Sequence, residues 1–153
     1  MRFVLVHGGM HVAAHFDLLA AELRADGHEV VAPDLPGRGD RAGEKATWEG
    51  CREAVADVIE NGEQLAHEAY KRLVPEQLDL VLEPLPLPKF RDLNVPRDYI
   101  VCLDDRSGIN ARIETYLSLL GLRQAHLLWS SHSPFLSRPR DTAGLLVAIG
   151  GRA

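Results

Sequence analysis

Apolar positions along this chain fall into two blocks of alternating strand and helix patterns, one at each end, with a proline-rich stretch between them. Phe3-Val4-Leu5-Val6 is an unbroken apolar run, the pattern of a strand buried on both faces of a parallel sheet. It runs directly into a His7-Gly8-Gly9-Met10 turn. The spacing of Phe16, Leu19, Ala20 and Leu23 predicts a helix over 13–25, closed by Gly27. A second apolar strand covers Glu29 to Asp34, and Pro36-Gly37-Arg38-Gly39 forms the loop after it. Strand, helix and strand at this spacing predict a right-handed parallel unit.

Next comes a helix over 47–60, with Thr47 as its N-cap and Trp48, Cys51, Val55 and Val58/Ile59 on one face. A further helix is predicted over 63–73. The prolines between Leu78 and Pro88 disfavour a central strand there and point to an extended connector or cap. The parallel pattern returns with a strand at Tyr99 to Leu103, a helix at Ala111 to Leu120 closed by Gly121, and a strand at Ala125 to Trp129. A last helix is predicted over 140–149. The whole is expected to be one α/β domain, 1–153, with halves at 1–60 and 96–153 around a lid-like connector at 61–95.

Composition narrows the classes. A formal charge of −5 with scattered arginines argues against nucleic acid as the main partner. No apolar run has membrane-spanning length, and Phe3 to Val6 is too short for the core of a signal peptide, so a cytoplasmic protein is expected. Cys51 and Cys102 are expected to be two reduced thiols on buried faces rather than a disulfide. No cofactor-binding motif is present, and no cofactor is expected.

Taken together, Val-Leu-Val-His-Gly-Gly, the helix after it, and Val-Val-Ala-Pro-Asp-Leu-Pro-Gly-Arg-Gly resemble the α/β-hydrolase superfamily, in particular its small esterase and hydroxynitrile-lyase branch. The resemblance implies a reduced α/β-hydrolase-like three-layer sandwich around a mostly parallel sheet of about four strands. In that family the turn after the His-Gly pair lends a backbone N–H to the oxyanion hole, here from Gly9 or Met10. The catalytic acid follows one late strand and the catalytic histidine follows the last. By motif the histidine is His132 and the acid is Asp105, with Asp104 the alternative.

The chain departs from the family at its centre. The family's nucleophile stands on a Gly-x-Ser-x-Gly elbow, yet no such motif occurs and no serine precedes Ser107. The expectation is that the elbow segment is missing between about Glu60 and Glu63. The sheet edges this leaves would then be closed directly or paired in a homodimer. Ser131 and Ser133 flank His132, but sequence neighbours do not present serine–histidine geometry well, and hydrogen bonding to the loop backbone is their expected role. His7, His11 and His15 cluster near the opening turn; without a carboxylate at a recognised spacing, no metal site is assigned.

A histidine held by a carboxylate keeps acid–base capacity without a nucleophile. The leading expectation is therefore a small-molecule enzyme of lyase, cyclase or isomerase type acting on a carbonyl compound. Two alternatives stand beside it: a hydrolase using another nucleophile or activated water, and a ligand-binding or assembly protein without chemistry.

Overall fold

The computed structural model describes residues 1–61 and 95–152. The predicted helix over 63–73 and the proline-rich connector lie outside the described residues. The chain divides into two compact units, Met1–Pro86 and Leu87–Ala153.

In the first unit, β1 (Arg2–Val4) pairs in parallel with β2 (Glu29–Val31), Phe3 opposite Val30, and helix α1 (Asp17–Ala25) forms the crossover. The ladder continues one bond further, Leu5 N–H donating to the Val31 carbonyl at 2.8 Å. Phe16, Leu19, Ala20 and Leu23 are all buried, as their helical spacing predicts. Taking each large side chain out of water stabilises the unit by roughly 1.5–3 kcal/mol. The helix stops at Gly27, whose φ of +80° suits a residue without a Cβ, and the His28 N–H closes back on the Leu23 carbonyl at 3.1 Å. A 3₁₀ turn over Ala13–Phe16 precedes α1, so the single helix expected over 13–25 is two pieces.

One expectation for the opening strand is corrected. Phe3 and Val4 are half-buried, Leu5 is buried and Val6 is 45% exposed, so this run is not buried on both faces. Helix α2 (Trp48–Asn61) begins where expected, with Thr47 Oγ1 accepting the Gly50 N–H at 3.0 Å.

In the second unit, β3 (Ile100–Cys102) pairs in parallel with β4 (His126–Leu128), Val101 opposite Leu127. Between them, a 3₁₀ turn at Ile109–Arg112 leads into α3 (Ile113–Leu120), which ends on Gly121 at φ +71°. After β4 comes one helical turn, Pro134–Ser137, which the sequence pattern does not reveal, and then α4 (Pro139–Gly150), with Pro139 in its first turn. Val101 and Ala143 are buried in this unit. All four described strands are thus in parallel pairs joined through helices. Among the described residues, no helix is long and apolar enough to cross a membrane.

Candidate active site

Predicted site residues fall into two clusters, one in each unit. In the first, His7 ends the apolar run and its imidazole is buried. Nδ1 lies 3.0 Å from the Gly8 carbonyl, and Nε2 accepts the Leu35 N–H at 3.1 Å. A nitrogen that accepts a backbone N–H carries no proton, so the ring is the neutral Nδ1–H tautomer. Burial pushes its pKa below the usual histidine value, against the opposing pull of the Gly8 carbonyl and Asp34. His7 therefore fastens the turn after β1 to the loop after β2, with both ring nitrogens committed.

Asp34 supports the same loop. Its buried carboxylate accepts the Ala13 N–H at 2.8 Å and the Asp40 N–H at 3.0 Å, one on each oxygen. Gly39 approaches it so closely that a Cβ there would sit 1.9 Å from Asp34 Oδ2. The turn itself closes with the His11 N–H on the Gly8 carbonyl at 3.4 Å, and Met10 adopts φ +60°, unusual for a residue with a side chain. His11 Nδ1 lies 2.9 Å from the Gly9 carbonyl, while His15 Nδ1 accepts the Val12 N–H at 3.1 Å. Their rings meet edge to face, 5.2 Å between centroids. Among the described residues, no group of three or more His, Cys, Asp or Glu side chains is placed to hold a metal ion.

In the second cluster, the parallel ladder carries past the strands. Leu103 N–H donates to the Leu128 carbonyl at 2.9 Å and Asp104 N–H to the Ser130 carbonyl at 3.1 Å. Asp104 is exposed, whereas the Asp105 side chain is 6% exposed. His132 Nδ1 lies 2.8 Å from Asp105 Oδ2, and the Ser107 N–H donates to Asp105 Oδ1 at 2.7 Å. Between the two acid candidates, the geometry joins Asp105 to His132. Desolvation raises the Asp105 pKa, but hydrogen bonds from His132 and Ser107 outweigh it and bring the carboxyl down to about 2. The ionised carboxylate holds the proton of the imidazole on Nδ1, which leaves Nε2 to work on a ring that is 49% exposed.

Three features of this cluster escape the motif reading. Ser107 completes a turn on Asp105, a signal legible in Asp105-Arg106-Ser107. Asn110 Nδ2 donates to the Cys102 carbonyl at 2.9 Å, fixing the start of the loop. Ser130 is 3% exposed, and its Oγ has no hydrogen-bond partner among the described residues. Ser131 is exposed, while the Ser133 carbonyl accepts Ser137 Oγ at 3.2 Å within the helical turn. Both cysteines are free thiols, and burial pushes Cys51 up, away from the thiolate a nucleophile needs.

Comparison with known proteins agrees with this architecture. A family model described as "Alpha/beta hydrolase family" matches residues 3–69. An extracellular alpha/beta-hydrolase from a Paenibacillus species, described as sharing structural and functional homology with tobacco salicylic acid binding protein 2, superposes with a TM-score of 0.81 at 20% identity, covering 97% of this chain and 98% of that one. A pyrethroid hydrolase from Sphingobium faniae JZ-2 gives 0.75 at 17% identity, over 99% and 97% of the two chains. The pyrethroid hydrolase PytH gives 0.71 at 17% identity, over 99% and 98%. No curated protein matches the chain.

Proposed function

We propose that this chain, which has the α/β-hydrolase fold and matches a model of that family over residues 3–69, is a small-molecule enzyme in which His132, oriented by Asp105, performs acid–base chemistry on a carbonyl-containing substrate. The observation that carries the reading is the 2.8 Å contact between a nearly buried, ionised carboxylate and a half-exposed imidazole. Asp105 keeps the Nδ1 proton in place and stabilises the imidazolium that forms when Nε2 takes a proton from a carbon beside the carbonyl. The same proton, returned to a leaving group or to the neighbouring carbon, completes an elimination or an isomerisation.

A second reading has its own support. The solved structures with this fold include pyrethroid hydrolases by name, and a base without a serine on it can instead take a proton from water. In that case the hydroxide adds to an ester carbonyl, the tetrahedral intermediate expels the alkoxide, and His132 returns the proton to it. Both readings use His132 and Asp105 and differ only in what Nε2 deprotonates.

One experiment addresses the nucleophile and the base together. The native protein is treated with a fluorophosphonate, which marks activated serines, and then assayed on aryl esters and on small carbonyl compounds bearing acidic C–H bonds. The expected result is no labelled serine, with turnover abolished in His132→Ala. A labelled serine would restore a covalent serine mechanism, and an unchanged His132→Ala rate would remove His132 from the chemistry.

A further inference from the structure

The β3–β4 pair holds a second histidine–aspartate contact, at the opposite end from the first. His126 Nε2 lies 2.7 Å from Asp98 Oδ1, and the His126 backbone N–H donates to the Tyr99 carbonyl at 2.8 Å. His126 thus grips two consecutive residues at the entrance to β3, while Asp105 and His132 meet beyond its exit. The sequence pattern gives His126 no role.

The strands between these contacts are weakly specified. Each is three residues long, no residue of β4 is fully buried, and Leu127 at its centre is 66% exposed. Register is firmly set where alternate side chains are buried on one face, and in β4 the inward positions His126 and Leu128 are only half-buried, so that constraint is partial. A slip of one residue would carry His132 about 3.3 Å along the strand axis. That displacement breaks a hydrogen bond whose heavy atoms must stay within about 3.2 Å.

We propose that Asp98 and His126 are positioning residues: their contact clamps β4 in register against β3 and so sets the Asp105–His132 geometry at the far end. The proposal rests on the reading of His132 and Asp105 given above, but its test reads geometry rather than turnover. In protein labelled with ¹⁵N-histidine, the Nδ1–H proton of His132 gives a low-field resonance while it is held by Asp105. Asp98→Ala and His126→Ala are expected to lose that resonance while remaining folded by circular dichroism. His126→Gln is expected to keep it, because the glutamine amide can donate to Asp98 where the imidazole Nε2 did.

A merely stabilising contact would lower the melting temperature and leave the His132 resonance intact in the folded protein, and that result overturns the proposal. Should the alanine variants fail to fold, His126→Phe, which keeps a ring and removes the donor, is read the same way: loss of the resonance supports the clamp and retention overturns it. Because no turnover is measured, failure of the clamp stays distinct from failure of the proposed chemistry, which the His132→Ala rate reports.

Discussion

His7 Nε2 accepts the Leu35 N–H at 3.1 Å, and this one bond joins the loops that follow two neighbouring parallel strands. With Nδ1 occupied by the Gly8 carbonyl, the ring is a strut rather than an acid or base.

Replacing it with alanine leaves the half-buried Leu35 N–H without its acceptor, a loss of about 1–3 kcal/mol. His7→Gln is expected to recover part of this, because its amide oxygen can accept the Leu35 N–H. Chemical denaturation of the three proteins at neutral pH checks the order.

The strut also predicts a pH dependence. Burial lowers the folded-state pKa of His7 below its ordinary 6.5, so the unfolded chain binds the proton more readily. Its contribution to stability is complete above pH 6.5 and is lost as pH falls from there toward the folded value. His15, also lowered chiefly by burial, adds in the same sense. Melting temperatures between pH 8 and pH 5 should therefore fall, and fall less steeply in His7→Gln.

Gly39→Ala is expected to destabilise by roughly 2–4 kcal/mol, because φ of +49° is strained for alanine and its Cβ would collide with Asp34. If the collision acts by displacing the Asp34 carboxylate from Ala13 and Asp40, Gly39→Ala and Asp34→Ala will not be additive. A double-mutant cycle by denaturation measures the coupling.

Asp105 carries the acid-side counterpart. Its carboxyl, at about 2 in the fold against 3.8 ordinarily, contributes stability that is present above pH 3.8 and lost as pH falls toward 2. Asp105→Asn should remove that component from the acid unfolding curve. The wild-type carboxyl also stays ionised well below pH 4, so any acid limb of a rate profile above pH 4 belongs to another group.

Much of this architecture was legible because periodicity and punctuation agree. The three buried positions of α1 with Phe16 just before it, the glycine stops at Gly27 and Gly121, and the Thr47 cap each announce themselves in local sequence. Strand lengths were harder, since Ala125 and Trp129 look like strand yet fall outside the ladder's three-residue pairing. The choice of Asp105 over its neighbour Asp104 follows from which side chain turns inward, and Asp105-Arg106-Ser107 signals it only through the turn it forms. Contacts between distant residues, such as His126 with Asp98 and His7 with Leu35, have no local signature. They depend on strand register, which single residues do not encode.

The most direct test of the central claim is kcat/KM for the wild type, His132→Ala and Asp105→Asn on one substrate turned over by the native protein. Removal of the base is expected to lower the value by roughly 10²–10⁴-fold, and Asp105→Asn, which keeps the shape but loses the charge that holds the imidazole, to fall in the same direction. Wild-type values in both folded variants would contradict the account and leave this fold's histidine–aspartate pair without a part in the reaction.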